Sequence, residues 1–436
     1  MRAWLFVALA GCHHASTDAT PDSPPPPIDS TPDSTVDSLA CTPTSATGQV
    51  TVDGPSGAAS LIVTFVVHDP TGAVVHRSDA GPDATVMLDV PSCGMVTTSS
   101  LAPGGQRQNM TWTNVQPGDH LVSLDRQAAT VPRDVVITFD GFFQATEYDV
   151  IAACAPNHFT FTSRPDTTAV DLSPQCTANP ATITVVTTAK APTASGYAVT
   201  SIPIAATGTT NIAMPPLDPA TPSTLTLYHA SKFTNARYDT YTSPAGNPVP
   251  IGDAMATVSA DTITIANAPA LQGKGAIEIT AGDPTHRTQL FRSVPALPAT
   301  LELDGNELLP FVTGTIDTAT TRPTVVWGTD APADGDEAII EIQQDGIDGP
   351  VEWDLAMPPV AGSVRFPELP VDLWPATTAK LTSLAVFESS AITSFDANNI
   401  RTLLFDFPTQ GTDVRATTLS NGAAVQGLRL PRASSD

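Results

Sequence analysis

Leu61-Ile62-Val63-Thr64-Phe65-Val66-Val67 is followed, after His68, by Asp69-Pro70-Thr71-Gly72 and then by Ala73-Val74-Val75. The first run is of strand length and consists almost wholly of β-branched and aromatic side chains, which suit a pleated surface. The segment after it is made of turn formers. Pro fixes φ for a turn position, Asp can hydrogen-bond its own backbone, and Gly accepts a positive φ. A strand, a tight turn and a second apolar run predict a β-hairpin.

The same grammar recurs along the chain. Gln49-Val50-Thr51-Val52, Thr85-Val86-Met87-Leu88-Asp89-Val90, Val135-Val136-Ile137-Thr138-Phe139, Thr182-Ile183-Thr184-Val185-Val186 and Thr262-Ile263-Thr264-Ile265 are all cut off by Pro, Gly, Asp or Asn. No stretch of a dozen residues keeps helical apolar spacing without a Pro or Gly. Regular short strands with no helices between them predict an all-β protein of tandem immunoglobulin/fibronectin-like β-sandwich domains. Turn-rich breaks place these at 46–130, 131–223, 224–308 and 309–410, with a C-terminal tail at 411–436. Cys41 to Val52 is similar to Cys176 to Val185, and as a repeat this would put a cysteine ahead of the first strand of each module.

Composition narrows the function classes. The 436 residues include 42 Pro, and 19 Lys+Arg against 44 Asp+Glu leave a formal charge of 19 − 44 = −25. Such an acidic surface argues against a partner that is a nucleic acid. Apolar residues at 41% suffice for packed cores. From His13 to about Ser45, however, the chain is Ser, Thr, Asp and Pro, including Pro24-Pro25-Pro26-Pro27. Almost nothing there can offset the entropy of ordering, so residues 12–45 read as a disordered, extended linker.

Ahead of it, Met1-Arg2 precedes the apolar run Ala3-Trp4-Leu5-Phe6-Val7-Ala8-Leu9-Ala10. Eight helical residues reach about 12 Å, far less than the roughly 30 Å hydrocarbon core, so the run reads as part of a signal peptide over residues 1–11. Leu9-Ala10-Gly11-Cys12 resembles the lipobox of bacterial lipoproteins. The resemblance implies cleavage before Cys12, acylation of its sulfur (palmitate among the chains), and attachment to a membrane. His13 after the cysteine implies the outer membrane, with the body facing the periplasm or the cell exterior.

The last unit reads Thr324-Val325-Val326-Trp327, Ala338-Ile339-Ile340-Glu341-Ile342, Val351-Glu352-Trp353, Ser363-Val364-Arg365-Phe366, then Pro367-Glu368-Leu369-Pro370 and Leu381 to Phe387. With an early inward Trp327 and a Pro-containing turn before a late strand, it resembles a fibronectin type III sandwich. Trp327 and Trp353 are expected as core anchors.

Four cysteines remain beyond Cys12: Cys41, Cys93, Cys154 and Cys176. An even number in an exported protein implies disulfides, and four allow three pairings. Cys41–Cys93 with Cys154–Cys176 closes each bridge within one unit. No CxxC spacing suggests zinc.

Chemistry is sparse. No Gly-rich phosphate cradle, HExxH or GxSxG is present. His68, His76 and His120 share a module with Asp69, Asp79 and Asp119 and are expected to cap loops or face water. Asp330, Asp334, Asp336 and Glu337, with Asp345 and Asp348 nearby, form the densest carboxylate patch and the only calcium candidate, because calcium collects oxygen ligands from acidic loops. No other cofactor is expected. Tyr228, Phe233, Tyr238 and Tyr241 form the one aromatic-rich stretch and are expected to pack rather than stack on sugar. The leading expectation is a non-enzymatic, surface-displayed lipoprotein acting in adhesion, envelope structure or contact with proteins or glycans. A lipoprotein that binds carbohydrate or peptide, or an envelope hydrolase with accessory β domains, are the alternatives.

Overall fold

The structure, a computed structural model, describes residues 41–44, 46–55, 62–101, 105–123, 221–242, 249–270, 275–318, 322–331, 335–346, 349–375, 378–390, 392 and 413–420, and between 134 and 219 the strands. No α-helix occurs among the described residues. The calls on the signal peptide, Cys12 and most of the linker lie outside them.

Strands come in groups of seven. The first group is β1 (Thr47–Asp53), β2 (Ile62–His68), β3 (Val74–Ala80), β4 (Thr85–Pro91), β5 (Gly94–Leu101), β6 (Arg107–Val115) and β7 (His120–Val122). The second is β8 (Asp134–Thr138), β9 (Glu147–Cys154), β10 (Asn157–Ser163), β11 (Ala169–Asp171), β12 (Thr182–Lys190), β13 (Gly196–Pro203) and β14 (Thr209–Ala213), with the two-residue β15 (Asp218–Pro219) beyond it. The third is β16 (Thr221–Tyr228), β17 (Asn235–Thr242), β18 (Val249–Thr257), β19 (Ile263–Ala270), β20 (Gly275–Gly282), β21 (His286–Val294) and β22 (Thr300–Asp304). The fourth is β23 (Val312–Asp317), β24 (Thr324–Thr329), β25 (Glu337–Asp345), β26 (Pro350–Met357), β27 (Gly362–Arg365), β28 (Lys380–Ser389) and β29 (Asp413–Ser420).

The first three groups share one topology. Their fourth, first and seventh strands form a small sheet (β4-β1-β7, β11-β8-β14, β19-β16-β22), in which first and seventh run parallel. Their third, second, fifth and sixth strands form a larger one. The last group differs: β23-β24-β27 form its small sheet and β29-β28-β25-β26 its large one.

The larger sheets of three groups are not separate. β26 pairs in parallel with β6, and β29 pairs antiparallel with β21, so one twelve-stranded sheet runs β18-β17-β20-β21-β29-β28-β25-β26-β6-β5-β2-β3. The last unit therefore sits between the third and the first. Joining edge to edge satisfies backbone groups that four sheet margins would otherwise leave open.

The small sheets cover opposite faces. Trp327, Val325 and Val312 pack on Ala338, Ile340, Ile342, Trp353 and Leu355. The first unit's Val50, Val52, Leu88 and Leu121 pack with Phe65, Val96 and Trp112 in a core that continues to Ile339, Ala356, Ala385 and Phe387 on the reverse face. Strand alternation turns Ile339 away from Ala338 and Ile340. A third core, around Leu225, Leu227, Tyr238, Ile277, Ile279 and Leu290, fills the third unit.

The predicted hairpin forms between β2 and β3. Asp69 Oδ1 accepts from Thr71 N, Thr71 Oγ1 and Ala73 N at 2.9, 2.7 and 2.9 Å, and Gly72 takes φ +81°. Three sequence readings change. Residues 413–420, assigned to a tail, form β29, which is hydrogen-bonded on both sides. The third unit's first strand begins at Thr221, ahead of the boundary at 224. β12, which follows Cys176, is the fifth strand of its unit and not the first, so the cysteine echo does not mark equivalent positions.

Candidate functional site

A broad buried polar face lies where the first unit meets the last. On one face of its large sheet the first unit presents Thr64, His68, Thr97, Ser99, Asn109, Thr111 and Thr113, all buried. Residues 366–374, after β27, lie over this face. Glu368 N donates to Gly72 O at 2.8 Å, Asn109 Nδ2 to Leu373 O at 3.3 Å, and Arg322 Nη2 to Thr71 O at 2.7 Å. Arg77 makes a two-pronged bond to Asp372, at 2.9 and 2.7 Å. This bond holds the Asp372 carboxyl below its ordinary range. A Cβ on Gly72 would come within 2.4 Å of Arg322 Nη2 and 3.0 Å of Pro367 Cα, so glycine is needed at the tip for contact as well as for φ.

A chain of hydroxyls crosses the seam. Trp353 Nε1 of β26 donates to Thr111 Oγ1 at 2.9 Å, Thr111 and Thr97 hydroxyls lie 2.7 Å apart, and Thr97 Oγ1 lies 2.9 Å from His68 Nε2. The indole N–H donates to Thr111 Oγ1, and the two hydroxyls, each able to donate one proton and accept two, carry the chain on to His68 Nε2. His68 is neutral at neutral pH. Burial, then the nearby Arg322 charge, lower its pKa from 6.5 to about 4, against a small opposing effect from Asp69. Trp353 is also packed edge-on to Phe366 and Trp374, with ring centres at 4.9 and 5.0 Å.

On the other side of the same seam, Glu352 accepts from Gln106 Nε2 at 3.1 Å and Gln108 Nε2 at 3.2 Å. Across β25, burial raises the pKa of Glu341, despite a hydrogen bond from Thr382 at 2.8 Å. The seam with the third unit is tied by Arg292, whose Nε and Nη2 reach the two oxygens of Asp413 at 2.8 and 2.6 Å. Asp413→Ala should cost about 1–2 kcal/mol, between the value of an exposed ion pair and that of a buried charged hydrogen bond, since the two side chains are 30% and 29% exposed. Urea unfolding of the variant with an unchanged midpoint would show that this pair does not hold the units together.

The candidate residues named from sequence fall as follows. His68 is buried, against the expectation that it faces water, because the last unit covers its strand. His120 faces Asp53 at 2.9 Å, Asp119 Oδ2 accepts from Gln116 N at 2.7 Å, and Asp79 accepts from Thr64 at 2.6 Å. In the third unit an exposed His229 pairs with Asp304 at 2.8 Å, and this bond raises its pKa. The first pair joins β1 to its parallel β7, and the second joins the residue just past β16 to β22.

Asp330 is exposed, and its N–H bonds Phe311 O at 3.0 Å. Asp336 Oδ2 accepts from Ser389 N at 2.7 Å, and buried Glu337 begins β25. Asp334 and Asp348 lie outside the described residues. Among the described residues no three His, Cys, Asp or Glu side chains gather to hold a metal ion. Phe233, Tyr238 and Tyr241 are buried as expected, whereas Tyr228, expected to pack with them, ends β16 exposed. Trp327 and Trp353 are in the core. Cys41 and Cys93 form a disulfide, while Cys154 ends β9 and Cys176 lies outside the described residues. Sequence reasoning missed Thr97, Thr111, Arg322 and Asp372, whose common signal is only that polar residues interrupt strands or loops.

No protein-family model matches the chain, and no curated protein matches it. Among solved structures, a candidate adhesin from Bacteroides ovatus is similar over 46% of this chain and 97% of its own, at 9% identity and a TM-score of 0.15. The Bacillus anthracis TIE protein is similar over 74% of this chain and 71% of its own, at 8% identity and a TM-score of 0.15. Likeness at that TM-score carries no argument.

Proposed function

We propose that the chain is a membrane-anchored lipoprotein without enzymatic activity, displayed at the outer membrane and acting in adhesion, envelope structure or contact with surface proteins or glycans. Cys12 is the lipid-bearing residue, residues 12–45 are the tether, and the β units are the cargo, the last of them fibronectin type III-like. What carries the reading is the twelve-stranded sheet, which makes three units one stiff body suited to presenting a surface at a distance. Two acyl chains or more on one cysteine suffice for stable anchoring. The described His and Asp groups named above act in caps, clips and the seam, which is how a scaffold uses them.

Cells expressing the full chain and fed labelled palmitate should yield a labelled mature protein, with the label lost in Cys12→Ser. An unlabelled mature chain, or recovery from the cytosol alone, would overturn the proposal.

A further inference from the structure

We infer that the Cys41–Cys93 disulfide is a mechanical bypass, which takes tension arriving along the N-terminal tether past β1 and delivers it directly to β5, an inner strand of the twelve-stranded sheet. The inference deepens the display reading and rests on residues 12–45 acting as a tether. Without the bridge, tension would enter at β1. That strand lies in a small sheet between β4 and β7: it pairs with β4 from Thr47↔Pro91 to Asp53↔Thr85 and in parallel with β7 from Thr51↔His120 to Asp53↔Val122, while Ser92 N donates to Ala46 O at 2.9 Å just ahead of it. A pull on residue 46 falls first on the Thr47 end of β1, where β4 and the Gly118 N–Gln49 O bond hold it, so the load rests on three short strands outside the twelve-stranded sheet.

The bridge changes the path. Cys93 is followed at once by β5, Gly94–Leu101, which is buried along nearly its whole length and hydrogen-bonded to β2 on one side and β6 on the other. β6 in turn pairs with β26 of the last unit. The covalent route from the tether to the body's central sheet thus omits everything between Cys41 and Cys93, a separation of 52 residues. The bridge is also held in place. Gln116 Nε2 lies 2.7 Å from Cys41 Sγ and 3.6 Å from Cys93 Sγ, and Ser92 Oγ donates to Gln116 Oε1 at 3.0 Å. Cys93 itself is 3% exposed.

Single-molecule stretching of the full chain by its two ends tests this, with and without Cys41→Ser/Cys93→Ser, in the absence of reductant. Opening of the first unit should release a contour shorter in the parent than in the variant by about 190 Å, which is the 52 bridged residues at about 3.6 Å each. The variant should open this unit at lower force. Equal opening forces, or equal contour lengths, would overturn the inference. If the variant does not fold, the parent stretched in reductant should show the longer contour and the lower opening force, and their absence once the thiols of Cys41 and Cys93 are free overturns the inference equally. Neither readout requires the lipid, so failure of Cys12 acylation would be seen separately by palmitate labelling.

Discussion

Replacing Trp353 with Ala should destabilise the first and last units together, by about 3–5 kcal/mol, the usual cost of removing a fully buried Trp side chain. The side chain is 0% exposed and meets both Phe366 and Trp374, so its loss leaves a cavity that the neighbouring rings cannot close without moving. It also removes the only fixed donor in the hydroxyl chain, since Trp353 Nε1 is what bonds Thr111 across the seam. Trp353→Phe keeps most of the volume and should cost about 1 kcal/mol, the net value of a hydrogen bond. Trp327→Ala opens a cavity in the last unit alone, since its contacts lie within that unit's core. Fluorescence of Trp112 in the first unit and of Trp374 in the last would follow the two transitions during urea unfolding. Trp353→Ala should shift both midpoints, and a shift confined to the last unit would show that the seam contributes nothing to the first.

Acid should weaken the same junction through His68. Its folded pKa is about 4 against 6.5 in the unfolded chain, so between those values the unfolded state holds more protons. Stability from this group is therefore full above about pH 6.5, falls as pH drops towards about 4, and is flat below. At 1.36 kcal/mol per unit, the 2.5-unit difference between 6.5 and about 4 amounts to about 3 kcal/mol. Protonation also puts a charge into this buried chain of hydroxyls, and Arg322 lies close enough to oppose it. His68→Phe removes the titration while leaving the carboxylates in place. Between about pH 7.5 and about pH 4 the parent should lose about 3 kcal/mol more than this variant. Parallel stability curves for the two would show that His68 is not the group responsible.

Much of the strand content was legible, because each strand's period and its turn residues are local. Val50 and Val52 alternate inward on β1, and Asp69 and Gly72 specify the turn before β3. The polar strands were not legible. β5 reads Gly-Met-Val-Thr-Thr-Ser-Ser-Leu, which looks solvent-facing, yet it is buried because the last unit covers its second face. His68 misled for the same reason: flanking a turn suggests water, and only the packing of residues 366–374 over that face removes it. The disulfide pairing Cys41–Cys93 followed from keeping a bridge within one unit, whereas the partners of Asp336 followed from nothing local.

The amino-acid order by itself determined that the described part of this chain would be β, where most of its turns fall, and that Trp327 and Trp353 would be interior. Tertiary structure alone decided that the last unit stands between the third and the first, joined to them through β29–β21 and β26–β6. The reason is that strand edges pair through backbone N–H and C=O groups, which every residue but proline carries alike. Which margin meets which is settled by the shapes and polar contacts of whole units, and no short stretch of sequence encodes it.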